Sequence, residues 1–288
     1  MNVPKHLVEP LQPFADDFAF RQREGVANLS LSSIAIVGLA RNCGEHLPNN
    51  LRSAAILGSY SSEWCLHIET NDNTDNTVEV LQEWKEKWPE VSYRNRTLNR
   101  KQYTSEFAGR RTQAIAEYRK ACQTWVREVA DDTDYTVVMD FDAWGGFSLS
   151  GVLNAIGWLI ELPGAYGMAS VSLMQHPAYA TDDKGNTELM PAWMHYDAWA
   201  LRLNSPWDDY TSGYGGWKHY WMPAVGSPPV KVCSAFGGLT VYRTEAFLQG
   251  VYAGSDCEHV PFHQSIHEAT GQHLFINPSQ RCVMQWLA

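Results

Sequence analysis

The chain has 288 residues, 44% of them hydrophobic and 19% charged, with a formal net charge of -10. That balance supplies a substantial core and excludes a disordered or coiled-coil chain, while the acidity argues against broad electrostatic binding to nucleic acid or an anionic membrane. Six cysteines, Cys43, Cys65, Cys122, Cys233, Cys257 and Cys282, are scattered with no C-x-x-C pair, a spacing that predicts reduced thiols and no structural zinc. Met1 to Arg21 has no apolar signal-peptide core, and the longest apolar run, Val152 to Leu162, is interrupted by Asn154 and Glu161. It falls short of the roughly 20 apolar residues that a membrane helix requires, so the expectation is a cytoplasmic chain without a membrane span.

In chain order, Ser33 to Leu39 is a near-continuous apolar run of strand length, the pattern of a strand buried on both faces. A helical stretch carrying Leu47, Leu51, Ala54, Ala55 and Leu57 follows, and Trp64 to Ile68 reads as a second strand. Its exit, Glu69 to Thr77, reads as a polar loop in which Thr74 or Asp75 caps a helix over Val78 to Trp88. Val91 to Tyr93 is a short third strand, Ser105 to Val129 has helical periodicity, and Tyr135 to Met139 is a fourth apolar strand running into Asp140. Four strand–helix cycles predict a doubly wound α/β sheet, in which ligands bind beyond the carboxyl ends of the strands. From about Trp193 the texture changes. Trp193, Trp199, Trp207, Tyr210, Tyr214, Trp217, Tyr220 and Trp221 lie among Gly, Pro and Asp with little periodicity, as in a functional loop region. Ala235 to Tyr242 then reads as a strand entered through a tight Gly237-Gly238 passage, Pro261 to Thr270 as a helix, and Leu274 to Ile276 as a last short strand.

Ala40-Arg41, Glu69 and Asp140 all fall at predicted strand ends. Asp140-x-Asp142 places two hard oxygen donors at one edge, which suits Mg²⁺ or Mn²⁺ sharing its other positions with water and phosphate; a turn with two solvated aspartates would look the same. Glu69 reads either as part of a helix-capping loop or as a contact to a base or ribose. Arg111 reads either as a solvated charge or as a forked partner for a diphosphate, and the basic set Arg94, Arg96, Arg100, Lys101, Arg110 and Arg111 as a phosphate-binding groove or a solvated face. Asp256-Cys257-Glu258-His259 gathers Asp256 and Glu258, each able to take a proton from an acceptor hydroxyl, with His259 as a third metal ligand; an acidic helix start is the alternative. Trp217 and Tyr220 beside Gly215-Gly216 suit a platform on which a sugar ring stacks, or a packed core.

Together these pieces resemble the GT-A superfamily of nucleotide-diphospho-sugar glycosyltransferases, over Ser33 to about Pro278. Arg111 and Ala116 before the D-x-D, Ser234 to Gly238, and Cys257 to Val260 are similar to the fungal capsule-associated α-1,3-mannosyltransferases, and distantly to collagen-modifying glycosyltransferase domains. The resemblance implies a single Rossmann-like GT-A domain: an N-terminal extension over 1–32 packed on it, a nucleotide-binding half over 33–147, and an aromatic-rich acceptor-binding half over 148–288. It implies that Ala40 and Arg41 meet the nucleotide base, that Glu69 or Asp72 supplies the acidic contact, that Asp140 lies toward ribose and water, and that Asp142 binds Mn²⁺ or Mg²⁺ directly. Gly237 and Gly238 would line the donor sugar or acceptor, and Glu258 and His259 the reacting centre. Retention of anomeric configuration is implied as well. The acceptor stays open between a glycan, a lipid-linked sugar, a protein and a hydroxylated base in DNA. A nucleotidyltransferase is the competing enzyme, but Ala40 to Gly44 is a poor phosphate loop; a non-catalytic carbohydrate-binding protein would not need aligned acidic residues at two strand ends.

Overall fold

A computed structural model describes residues 3–101, 103, 109–181, 183–205 and 216–287. The chain opens with α1 (Lys5–Val8) and α2 (Ala15–Leu29), then alternates β1 (Ser33–Ala40), α3 (Leu47–Gly58), β2 (Glu63–Asn71), α4 (Thr77–Lys87), β3 (Val91–Arg96), α5 (Arg110–Val129) and β4 (Tyr135–Asp140). The second half holds β5 (Gly146–Phe147), α6 (Leu149–Glu161), a hairpin of β6 (Ala165–Thr181) and β7 (Thr187–His195), then β8 (Val230–Val232), β9 (Leu239–Arg243), α7 (Thr244–Phe247), α8 (His259–Thr270) and β10 (His273–Gln285). Among the described residues these strands form one sheet in the order β3-β2-β1-β4-β9-β6-β10-β5, with β7 on β6 and β8 on β10. β3, β2, β1 and β4 are parallel, and β9 enters antiparallel between β4 and β6. No helix among the described residues is long and apolar enough to cross a membrane.

The apolar run of β1 has a direct cause. Ile34 and Ile36 pack with Leu51 and Ala54 of α3 and Val152 and Ile156 of α6, while Ala35 and Val37 pack on the other face with Cys122 and Val126 of α5 and Phe262 and Ile266 of α8. Burial on both faces removes the alternation that a half-exposed strand would show. The N-terminal helix α2 lies against α6, where a Cβ on Gly25 would come within 1.8 Å of the Leu153 carbonyl oxygen, so only glycine permits that approach.

Several boundaries differ from the sequence expectation. β2 continues through Glu69, Thr70 and Asn71, which pair in register with Arg94, Asn95 and Arg96 of β3; polar residues remain in the strand because the ladder satisfies their backbone and arginines meet Glu69. β10 runs 13 residues, its polar middle carried by pairing with β6 through a bulge between Asn277 and Arg281. Trp193 belongs to β7, part of a hairpin the sequence does not announce. Helix α5 starts at Arg110; Phe107 and the rest of 104–108 lie outside the described residues.

Candidate functional site

The register of the sheet sets the site. Leu39 is level with Glu69 on one side and with Asp140 on the other, and Glu69 is level with Arg94, so the ends of β1, β2, β3 and β4 form one edge. On the β1–β3 side the polar residues are spent largely on one another. The Glu69 carboxylate is buried and pairs with Arg94 at 2.7 Å, Arg96 at 3.4 Å and His67 at 3.2 Å. Burial pushes its pKa up, but the hydrogen bonds from His67 and Arg94 outweigh it and hold the group below its ordinary value. Asp72, at φ 47°, accepts the backbone N–H groups of Leu98 (2.8 Å), Asn99 (2.9 Å) and Arg100 (3.0 Å). Slight burial opposes ionisation there, yet those bonds and one from Asn71 bring its pKa to about 2.

Arg41 donates to the carbonyls of Arg100 at 2.7 Å and Lys101 at 3.3 Å, clamping the same segment. The loop after β1 is laced to the loop after β2: Asn42 N–H donates to Asn73 and Gly44 N–H to Asp75, each at 2.9 Å, while Thr74 N–H returns a bond to Asn42 at 2.7 Å. Asp75 also accepts the Thr77 N–H at 3.1 Å, but α4 is capped at Asn76 without a side-chain cap bond, one residue later than the expected Thr74 or Asp75 cap. Ala40 is buried in β1 and can meet a ligand only through its backbone.

On the β4 side the arrangement is different. Asp140 donates its N–H to the Gly238 carbonyl at 2.9 Å, and one of its carboxylate oxygens is gripped by Arg119, a buried residue of α5. The Arg119 guanidinium also lies 3.9 Å from Glu258 and 4.7 Å above the Phe236 ring, whose other neighbour is His259 in a stack with centroids 3.9 Å apart. Asp142 is open to solvent, yet its pKa rises to about 7, first through burial and then through the Asp140 carboxylate. Because water reaches Asp142, the like charge of Asp140 is the firmer of those two causes. Arg111 acts on both Asp142 and Glu258, lowering each. Burial nonetheless leaves Glu258 above its ordinary value and holds His259 neutral, well below the usual imidazole range.

Gly237 and Gly238 form the passage into β9, with φ of 66° and 84°; a Cβ on Gly237 would meet the Ser170 carbonyl oxygen at 2.1 Å. The Gly237 N–H donates to Asp197 at 2.9 Å. Asp197 follows β7, is half-buried, and has its pKa raised to about 7 by burial, reinforced by Glu258 and Asp140.

Asp140, Asp142, Arg111 and Glu258 are thus electrostatically coupled, with Gly238 joined to them through Asp140 and Gly237 through Asp197, while other predicted residues stand apart. Asp256 is held by buried Arg202, at 3.1 and 3.2 Å to its two oxygens, and accepts the Cys257 N–H at 2.6 Å. His259 sits in its stack on Phe236, and among the described residues no three His, Cys, Asp or Glu side chains gather closely enough to cage a metal. Trp217 and Tyr220 lie exposed on a short turn, Gly216–Tyr220, whereas Trp207, Tyr210, Tyr214 and Gly215 lie outside the described residues. Sequence reasoning missed Arg119 and Asp197. Arg119 carried a signal: it interrupts the buried stripe Thr112, Ala116, Gln123, Val126 of α5 with a charge that burial tolerates only when paired. Asp197 carried none, because the hairpin that delivers it is unannounced.

The sheet order, with an antiparallel strand inserted beside β4 and carboxylates at the edge, is that of a known architecture. The chain has a GT-A fold. It superposes on a crystal structure of GalNAc-T7 with UDP, GalNAc and Mn²⁺ at a TM-score of 0.50 and 12% identity, covering 98% of this chain and 55% of that one. S. aureus TarS matches at a TM-score of 0.50 and 8% identity over 88% of this chain and 36% of that one. A mannosyltransferase from Pyrobaculum calidifontis, in complex with GDP-Man and Mn²⁺, matches at 0.47 and 13% identity over 94% and 66%. The chain thus spans less than two thirds of each of these GT-A structures, whose likeness at such identity is one of fold. No family model matches the sequence, and no curated protein sequence matches it.

Proposed function

We propose that this chain is a metal-assisted glycosyltransferase that moves a sugar from a nucleoside-diphosphate donor to an acceptor hydroxyl, with 33–147 as the donor half and 148–288 as the acceptor half. The observation that carries the reading is the pair Asp140 and Asp142 at the carboxyl end of β4, level with the ends of β1 and β2 in a GT-A fold. The donor set fits a hard divalent cation. Two carboxylates one residue apart repel each other strongly enough to raise Asp142, and a cation such as Mn²⁺ or Mg²⁺ would relieve that repulsion. Asp142 would be the firmer ligand; Asp140, with one oxygen committed to Arg119, would turn the other toward the cation and the ribose. His259 would have to leave its stack on Phe236 to join them, so ligation is assigned to the aspartates.

The chemistry supplied by a bound cation is neutralisation of the charge that grows on the leaving diphosphate. The rest falls to the chain. Arg111, already acting on Asp142 and Glu258, would pair with the diphosphate, while the Ala40 backbone and Arg41 flank the base at the end of β1. The Gly237-Gly238 passage lets the backbone approach the donor sugar without a side chain intervening. Glu258, and Asp197 beside it, are the carboxylates placed to take up the acceptor proton; Asp256 acts by holding Arg202. Trp217 and Tyr220 offer exposed aromatic faces for an acceptor sugar.

A thermal-shift series with UDP, GDP and CDP, each with and without Mn²⁺, tests this reading. Wild type should be stabilised by a nucleotide and more so with Mn²⁺, and Asp142→Ala should stay folded but lose the Mn²⁺-dependent part. Retention of that part by Asp142→Ala would disprove the metal assignment. A wild type indifferent to every nucleotide would point to a carbohydrate-binding protein instead.

A further inference from the structure

The geometry points to Arg119 as the positioning residue of this site: its guanidinium locks the Asp140 carboxylate in one orientation and ties the D-x-D edge to Glu258 and Phe236. The inference rests on the metal-assisted reading above. Four elements meet at this one side chain. It rises from α5, grips a carboxylate oxygen of Asp140 at the end of β4, approaches Glu258 at the start of α8 to 3.9 Å, and lies 4.7 Å over the Phe236 ring beside the Gly237-Gly238 passage. The side chain is 3% exposed, so its orientation is fixed by protein on every side.

The physical argument concerns direction more than charge. A carboxylate has two oxygens and can rotate about χ2; with one oxygen held by a planar guanidinium, the other is kept turned away from Arg119. The same guanidinium cannot turn to follow another partner, because the Phe236 ring supports its face and Glu258 sits near its Nε. Partners outside the ligand set that orient a ligating group commonly matter to metal affinity about 10- to 100-fold. Lysine at this position would keep the positive charge and lose the planar fork, which separates orientation from electrostatics.

Mn²⁺ binding measured by electron paramagnetic resonance, with the metal alone and with UDP or GDP, reads the role without relying on turnover. Relative to wild type, Arg119→Lys should raise the Mn²⁺ Kd by roughly 10- to 100-fold in the folded protein, with folding verified by near-UV circular dichroism. Phe236→Leu, which removes the shelf and keeps every charge, should weaken Mn²⁺ binding by a smaller factor. A folded Arg119→Lys with the wild-type Kd would overturn the positioning role while leaving the metal reading intact, since a purely structural arginine would move only the melting temperature. Were Arg119→Lys not to fold, an unchanged Kd in Phe236→Leu would overturn it. Failure of the wild-type chain to bind Mn²⁺ under any of these conditions would remove the metal reading and this role together.

Discussion

The β1–β3 side of the sheet edge and the β4–β9 side handle buried polarity in opposite ways. On the first, Glu69 and Asp72 are surrounded by arginines and backbone N–H groups, and both are held below their ordinary pKa. On the second, Asp142, Asp197 and Glu258 are held above theirs, and His195, His259 and His263 are held neutral. The first side is a satisfied frame. On the second, burial and neighbouring carboxylates push acidic groups toward their neutral form, and perturbed groups of that kind make a candidate site.

The difference is most exposed by acid. His263, hydrogen-bonded to Ser234 at 2.9 Å and Tyr242 at 2.8 Å, has a pKa of about 3, and His195 one of about 4, both lowered chiefly by burial. The unfolded chain takes up these protons below about pH 6.5 and the folded chain does not, so the stability they contribute falls as pH drops from 6.5 toward 4. Between pH 7 and pH 5 each should remove about 2 kcal/mol, while Asp197, raised to about 7, takes up a proton that the unfolded chain does not and offsets the loss over the same window. The urea midpoint of Asp197→Asn should therefore fall further than that of wild type between pH 7 and pH 5, by about 2 kcal/mol. Glu69 and Asp72 have the same sign in a lower window, their contribution being lost only as pH falls below the ordinary carboxylate range. An Asp197→Asn chain whose midpoint falls no further than that of wild type would erase the contrast.

A next and smaller effect belongs to the glycine passage. Gly237→Ala combines a positive φ with a Cβ 2.1 Å from the Ser170 carbonyl oxygen, and should destabilise the chain by roughly 2–3 kcal/mol. It should also weaken nucleotide binding in the thermal-shift assay. Smallest is the frame itself: Glu69→Gln keeps the shape and loses the charge, and because Arg94 is half exposed the loss should be about 1–2 kcal/mol. Its nucleotide response should change less than that of Gly237→Ala; the reverse order would move the donor contact onto Glu69.

Much of the first half of the chain could be read in advance because each element there is encoded locally. The doubly buried β1 and the strand leading into Asp140 both rest on short-range patterns. Asp140-Phe141-Asp142 was legible for the same reason. The partner of Asp256, Arg202, was not legible because it is 54 residues away in sequence. His259 was plausible as a ligand by residue type, but the Phe236 ring that covers it comes from another segment.

The sequence by itself determined an α/β sheet, the order of its first four strands along the chain and the residues delivered to their carboxyl ends, because hydrophobic periodicity and capping act over a few residues. The tertiary structure alone decided which of those residues are used up and which remain available. Arg119 meets Asp140, Arg94 meets Glu69, and Asp197 meets Gly237 only when helices and strands distant in the chain pack together. Charge pairing and burial depend on distance in space, and no local pattern in the sequence carries that distance.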